Sequence, residues 1–167
     1  MKKIKIIQKF LLIVLISASL PLYAQEKSGT IPKKKIELTK QQVEQSIKLL
    51  PYFLKNVYKG KKGTQIKLDE KELNKLATEN GFRDYQEFLK SSSAVMMAYA
   101  YLKLKTSEAM LSSQLKKIKP ETAKTFKPQM DSIEKAIKAY EKELSPVTVK
   151  AIIPYMTQIE KILKSNR

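Results

Sequence analysis

The sequence predicts an all-α fold, a single compact helical bundle of about five helices. Apolar residues recur at steps of three and four in several stretches, which is the spacing of the buried face of an amphipathic helix. No stretch alternates apolar and polar residues for long enough to indicate a β-strand. A capping residue followed three positions later by Glu or Gln also precedes several of the apolar stretches, as at the start of a helix.

The first helix is predicted to begin after Thr39, with the side chain of Gln42 reaching back to form a capping box. One apolar stripe then leads to a helix end near Gly60. The stripe consists of Val43, Ile47, Leu50, Leu54 and Val57. Pro51 interrupts the stripe and removes one backbone hydrogen bond, so this first helix is expected to be kinked or divided.

A second, short helix is predicted to start at a capping box formed by Asp69 and Glu72 and to stop at Gly81. Another capping box, Asp84 with Glu87, follows almost at once. We therefore expect two helices to meet at a tight corner around Gly81.

The longest helix is predicted to span about residues 85–118, since no Gly or Pro interrupts Tyr85 to Ile118 and Pro120 stops the pattern. Its middle, Ala94 to Leu102, is apolar on every face, which is typical of a central helix surrounded by others. This region holds a cluster of flexible and aromatic side chains, and we interpret them as core rather than as a binding surface. They are Met96, Met97, Tyr99 and Tyr101.

Two further amphipathic helices are predicted toward the C-terminus. The stripe of the first is Met130, Ile133, Ile137, Tyr140 and Leu144. Ser145 then supplies a cap and Pro146 the first helical position of the last helix. Pro154 lies midway along that last helix and is expected to kink it.

Residues 1–24 have the pattern of a cleaved secretory signal peptide: a lysine-rich start, a short apolar run and a small residue, Ala24, at the expected cut. Lys9 leaves the apolar run about half as long as a membrane-spanning helix requires. Residues 25–37 are polar and predict a flexible basic tail, and residues 38–167 form the predicted helical domain. We therefore expect an exported protein, periplasmic or secreted, with no transmembrane span after cleavage.

The composition argues against an enzyme. The chain contains no His, Cys or Trp, so imidazole bases, cysteine nucleophiles and ordinary zinc or haem sites are excluded. We expect no catalytic residues, no cofactor and no metal site. Lys90 beside Ser91-Ser92-Ser93 superficially resembles a serine–lysine dyad, but adjacent helical residues do not face each other.

A large positive charge is the strongest remaining signal. Without the four lysines of the signal segment, 29 Lys and Arg face 16 Asp and Glu, a net charge near +13. Two acid-free stretches, one between Glu44 and Asp69 and one from Ala109 to Pro120, predict a surface for an anionic partner. Its candidate residues are Lys55, Lys59, Lys61, Lys62, Lys67, Lys116, Lys117 and Lys119.

The partner of this surface is left open between an acidic protein, a lipid head group and an acidic polysaccharide of the cell envelope. Only Arg83 and Arg167 are arginines, which argues against sequence-specific recognition of nucleic acid. A purely solubilising role for the lysines is the competing interpretation.

The segment Leu38-Thr39-Lys40-Gln41-Gln42 resembles the Leu-Thr-x-x-Gln signature of small basic periplasmic proteins of the Spy and CpxP kind. That resemblance implies an all-helical, exported, ATP-independent chaperone, although helix capping also accounts for each matching residue. A structural homo-oligomer, with the stripes of Val43 to Val57 and Met130 to Leu144 pairing between chains, is a third hypothesis. The leading one is a non-enzymatic binding protein of the cell envelope.

Overall fold

The computed structural model describes residues 35–59 and 70–165, and every regular element within those ranges is helical. The helices are α1 (Lys40–Lys59), α2 (Glu70–Glu79), α3 (Tyr85–Leu115), α4 (Pro120–Lys124), α5 (Lys127–Glu143), α6 (Pro146–Ile152) and α7 (Met156–Ser165), with a 3-10 turn at Ile153–Tyr155. The all-α prediction is confirmed, together with the single long helix and the proline-joined helix at the C-terminal end.

Contacts between residues divide the chain into two compact units. The first, here called the main unit, comprises Ile36–Tyr99 and Leu144–Arg167. The second takes its described residues mainly from Ala100–Glu143 and is called the hairpin unit. Helix α3 contributes residues to both.

Helix α1 begins as the sequence predicts. The Thr39 backbone N–H donates to Gln42 Oε1 at 3.0 Å, and the Gln42 N–H donates to Thr39 Oγ1 at 3.2 Å, so the capping box is confirmed. Gln42 Nε2 also donates to Glu87 Oε1 at 3.1 Å, which joins this cap to the start of α3. Pro51 does not divide the helix, which continues to Lys59.

Four side chains of the predicted stripe of α1 are buried within the main unit, and the side chain of Val57 lies outside the described part of the chain. Val43, Ile47, Leu50 and Leu54 are each less than one-twentieth exposed. Helix α1 packs against α6 and α7, which supply further core side chains such as Ile152 and Ile159. This burial is the main stabilising term for a helix that contains a proline.

The corner between α2 and α3 depends on Gly81. Its φ of 85° is in the left-handed region that favours glycine. The Phe82 N–H donates to the Ala77 carbonyl and the Gly81 N–H donates to the Thr78 carbonyl, the two hydrogen bonds of a Schellman motif. Phe82 and Ala77 are buried in one apolar cluster, so the predicted corner is confirmed.

Asp84 caps the N-terminus of α3, and its Oδ1 accepts from the Glu87 N–H at 2.7 Å. The return bond differs from an ordinary capping box because Glu87 Oε2 accepts from the Arg83 N–H, one residue before the cap. Arg83 Nε donates to Asp84 Oδ2 at 3.0 Å. The hydrogen bond from the Glu87 N–H, followed by that from Arg83, lowers the pKa of Asp84.

Helix α3 ends at Leu115, three residues before the predicted end. Lys119 precedes a proline and is extended, with φ −62° and ψ 142°, because the proline ring disfavours a helical conformation before it. Residues 116–118 lie between the helix end and this extended residue, and the N–H groups of Lys117 and Ile118 donate three residues back instead of four. Pro154 acts similarly in the last helix, where the α-helical pattern gives way to the 3-10 turn between α6 and α7.

The chain before α1 is held by the cap of α6. Ser145 Oγ accepts from the Thr148 N–H, as the predicted cap requires. Thr148 Oγ1 then accepts from the Leu38 N–H at 2.8 Å and donates to the Ile36 carbonyl at 3.0 Å. Ile36 lies in the range that the sequence assigns to the tail, and an isolated parallel bridge pairs it with Leu144.

The hairpin unit folds the second half of α3 back along α5. Its core consists of Leu104, Leu111, Ile133 and Ile137, with Tyr101, Leu115, Met130, Ala136 and Tyr140 packed against it. Tyr101 Oη donates to Glu141 Oε1 at 3.1 Å, far along both helices from the turn that joins them. The two helices thus form an antiparallel αα-hairpin.

Candidate functional site

The hairpin unit has a lysine-rich end where α3 leads into α4 and α5. The Lys116 N–H donates to the Ser112 carbonyl, whereas those of Lys117 and Ile118 donate three residues back, to Gln114 and Leu115. This change from four-residue to three-residue spacing tightens the last turn and ends the helix. We call residues 116–127 the basic corner.

Five lysine side chains of the basic corner are exposed: Lys116, Lys117, Lys119, Lys124 and Lys127. Glu121 is the only acidic residue in the same range. No ion pair joins these five lysines to a carboxylate within residues 35–59 and 70–165, whereas Lys105 pairs with Glu108 at 3.4 Å in the same unit. Uncompensated like charges at this density create a local positive potential.

The backbone of the basic corner is held by local hydrogen bonds. Pro120 occupies the first turn of α4, where its missing N–H costs nothing. Thr125 Oγ1 donates to the Thr122 carbonyl at 2.7 Å, and the Phe126 N–H donates to the Ala123 carbonyl at 3.1 Å. The N–H of Met130 then donates to the Phe126 carbonyl at the start of α5. These bonds give the lysines a defined backbone.

Ile118 is an exposed apolar residue in the middle of the basic corner. Its side chain is 37% exposed, and lysines stand on both sides of it in the sequence. Leu115, one turn earlier, packs against the hairpin core instead. Single exposed aliphatic side chains are common on protein surfaces. Ile118 differs because five lysines surround it in the chain, so an apolar surface lies within a region of positive potential.

The structure brings together three of the eight candidate lysines. Lys116, Lys117 and Lys119 lie in one turn and are exposed. Lys55 and Lys59 belong to the last turns of α1, and Lys61, Lys62 and Lys67 lie outside the described residues.

Sequence reasoning missed Lys124 and Lys127, which extend the basic corner beyond the stretch that ends at Pro120. The candidate lysines were chosen from stretches without acidic residues, and Glu121 ended the second of these stretches. A window of net charge across the proline would have included both lysines. The long helix was predicted to include Ile118, but the helix ends before it and leaves it exposed.

The aromatic and methionine cluster of α3 is mainly core, as predicted. Met96 and Tyr99 are less than one-tenth exposed, while Met97 and Tyr101 are half-buried. Burial, and then the hydrogen bond to Glu141, raises the pKa of Tyr101. This tyrosine stays protonated at neutral pH and serves as a hydrogen-bond donor.

The other candidate chemistry of α3 has no supporting geometry. Lys90 is exposed, whereas Ser91 and Ser92 are almost fully buried.

Among the described residues, no group of three or more acidic, His or Cys side chains is arranged to hold a metal ion. Within the same residues, no helix combines the length and apolar character that crossing a membrane requires.

Comparison with known proteins gives no relative. No protein-family model matches the chain, and no curated protein or solved structure matches it significantly.

Proposed function

We propose that the protein is an exported, non-enzymatic helical binding protein of the cell envelope whose basic surface binds an acidic partner. The observation that carries the proposal is the basic corner, where five exposed lysines lie within 12 residues of chain with one carboxylate among them. Long-range attraction by such a field raises the local concentration and association rate of anions. Export is supported by the pattern of residues 1–24.

Lysine-dependent binding to a soluble polyanion tests this function. The probe is dextran sulfate, and the protein is the form that accumulates after expression of the full chain. Binding should weaken steeply between about 0.1 M and about 1 M salt, because the screening length falls from about 10 Å to about 3 Å. Binding that is absent at low salt, or unchanged by salt, would contradict the proposal.

A matched pair of variants separates the basic corner from net charge. The triple variant K116Q/K117Q/K119Q removes three positive charges from the corner, and K135Q/K138Q/K142Q removes three from exposed positions of α5 in the same unit. The corner variant should bind dextran sulfate about tenfold more weakly than the α5 variant. Equal weakening would mean that total charge alone attracts the polymer and that the surface only solubilises the protein.

Cell fractionation and N-terminal sequencing test the exported location. The mature chain should be recovered outside the cytoplasm and should begin near Gln25. Recovery of the intact chain, with Met1 and its lysines retained, would contradict cleavage.

A chaperone is the second candidate function, supported by exposed apolar side chains in the main unit. Val147 of α6 is 54% exposed and Ile153 of the following 3-10 turn is 55% exposed, with Pro146 and Pro154 exposed beside them. Exposed apolar surface is the feature that binds unfolded chains. The resemblance of Leu38 to Gln42 to the Spy and CpxP signature points the same way.

Aggregation assays decide between the two functions. A chaperone should suppress aggregation of an unrelated unfolded protein at near-stoichiometric ratio, and V147S/I153S should suppress it less than M110S, which alters an exposed methionine of the hairpin unit. Absence of suppression by the unaltered protein would remove this candidate.

A structural homo-oligomer that pairs the stripes of Val43 to Val57 and Met130 to Leu144 between chains stays a third candidate. Val43, Ile47, Leu50 and Leu54 are buried within the main unit, and Ile133 and Ile137 within the hairpin unit. These positions are already covered by the protein's own chain. Pairing between chains would have to use the parts of the stripes that stay accessible, and measurement of native mass at micromolar concentration tests it.

A further inference from the structure

We infer that the acidic partner of the basic corner is an anionic phospholipid surface, with Ile118 inserted among the head groups and the surrounding lysines on the phosphates. This inference rests on the proposed function and specifies its partner. The juxtaposition that carries it is an exposed aliphatic side chain within a turn that also presents Lys116, Lys117 and Lys119.

The position of the turn favours contact with a surface. Helix α3 ends at Leu115 and α5 begins at Lys127, and the hairpin core packs these two helices against each other on one side of the turn. The basic corner is therefore the end of an αα-hairpin, where the chain reverses direction. An end of this kind meets a bilayer with few residues and needs no long apolar face.

The choice of cation also favours lipid. All five basic residues of the corner are lysines, whose ammonium groups are point charges on flexible stems. A lysine stem extends along apolar surface while its charge reaches the phosphate level, so lysines suit a layer of mobile head groups. Planar, bidentate recognition of carboxylates on a protein partner would instead favour arginine, which the corner lacks.

Ile118 is the residue that distinguishes a bilayer from a soluble polyanion. A lysine side chain contributes binding free energy both on an anionic bilayer and on a soluble polyanion. An aliphatic side chain contributes binding free energy only where hydrocarbon is available to bury it. Ile118 is not part of the buried face of α3, because the helix ends at Leu115. Exposure of 37% leaves part of its surface free to be buried by lipid.

Vesicle co-sedimentation tests the charge component. The probes are vesicles of phosphatidylglycerol mixed with phosphatidylcholine, and vesicles of phosphatidylcholine alone. The protein should bind the anionic vesicles, and K116Q/K117Q/K119Q should reduce the affinity about 100-fold, at about fivefold for each lysine. The control K135Q/K138Q/K142Q should reduce it by about tenfold or less, because its lysines lie on α5 outside the corner.

Two substitutions at Ile118 test insertion. Ile118→Ser should weaken binding to anionic vesicles about three- to tenfold while leaving dextran sulfate binding unchanged. The chain has no tryptophan, so Ile118→Trp creates a unique fluorophore. Its emission should shift to the blue on anionic vesicles but not on dextran sulfate, whereas Ala139→Trp, at an exposed position of α5, should shift on neither.

The outcomes of these experiments distinguish the lipid inference from the proposed function on which it rests. Binding to dextran sulfate without binding to anionic vesicles would overturn the lipid inference and leave the proposed function standing. Vesicle binding that Ile118→Ser does not weaken, with no blue shift for Ile118→Trp, would also overturn it. Failure to bind either anion at low salt would overturn both. Far-UV circular dichroism shows whether each variant keeps its helix content.

Discussion

The Leu38 backbone N–H donates to the buried hydroxyl of Thr148 at 2.8 Å, across 110 residues of sequence. The same hydroxyl donates to the Ile36 carbonyl at 3.0 Å, so one side chain satisfies two backbone groups of the segment before α1. Thr148 is fully buried, and its backbone N–H is capped by Ser145. The N-terminal segment and the start of α6 are thereby held together.

Thr148→Val should therefore destabilise the protein by about 2–3 kcal/mol, because an isosteric methyl leaves the Leu38 N–H and the Ile36 carbonyl without this partner. Chemical denaturation followed by circular dichroism measures the change. Thr106→Val is the control, since the Thr106 hydroxyl is exposed and bonds only within α3; its effect should stay within about 0.5 kcal/mol. Equal effects of the two substitutions would contradict a special role for Thr148.

Gly81→Ala should destabilise the corner between α2 and α3 for two separable reasons. A side chain at φ 85° is strained by about 1–2 kcal/mol, and a Cβ there meets the Gln45 amide. In a Gln45→Ala background the clash is removed and only the backbone strain should remain. If the cost of Gly81→Ala disappeared in that background, the left-handed conformation would not be the cause.

Asp84 should make stability depend on pH in the acid range. Its pKa is lowered in the folded protein by the hydrogen bond from the Glu87 N–H and then by Arg83. A lowered folded-state pKa means that its stabilisation is complete above the unfolded pKa of about 4 and is lost as pH falls through the folded pKa. Asp84→Asn keeps a capping oxygen without a titrating charge.

The free energy of unfolding, measured at neutral pH and again at pH values below about 4, checks this prediction. The unaltered protein should lose more stability on acidification than Asp84→Asn. A parallel loss in both proteins would assign the acid sensitivity to other carboxylates.

Truncation of two adjacent isoleucines should destabilise the protein to very different extents. Ile152 is fully buried and Ile153 is 55% exposed. Ile152→Ala should cost about 2–5 kcal/mol, the range for deletion of a buried aliphatic side chain, whereas Ile153→Ala should cost less than about 1 kcal/mol. Thermal or chemical denaturation measures both, and similar costs would contradict the difference in burial between Ile152 and Ile153.

Ser92→Ala should stabilise the protein. Ser92 is fully buried, and its hydroxyl has no hydrogen-bond partner in the part of the chain that the structure describes. Replacement by Ala removes an unsatisfied polar group and improves helix propensity, with an expected gain of about 1 kcal/mol. Ser113→Ala changes an exposed position of the same helix and improves helix propensity without removing a buried polar group. It should therefore raise the free energy of unfolding by less than half as much as Ser92→Ala. A destabilised Ser92→Ala would show that the hydroxyl is bonded.

Local features of the fold were predictable because their causes lie within a few residues. The capping box of Thr39 and Gln42, the glycine end at Gly81 and the cap at Ser145 each depend on atoms three to five positions apart. The end of α3 was misplaced by three residues, because the N–H groups of Lys117 and Ile118 donate three residues back and close the helix with a tighter turn.

The candidate site was predictable only in part. Lys116, Lys117 and Lys119 were found by the absence of acids around them, while Lys124 and Lys127 lay beyond Glu121. The exposure of Ile118 could not be predicted from its position at the end of the long helix, because exposure depends on where the helix ends and on which face the hairpin core covers.

The sequence by itself determined that this chain is helical, strongly basic and free of His and Cys, and it located the starts of α1, α3 and α6. These properties follow from composition and from interactions within one or two turns of a helix. The tertiary structure alone decided that Thr148 binds Ile36 and Leu38, that α3 is shared by two compact units and that Ile118 is exposed among lysines. Such outcomes depend on which apolar faces are buried together, and burial sums many weak contacts between residues far apart in the chain.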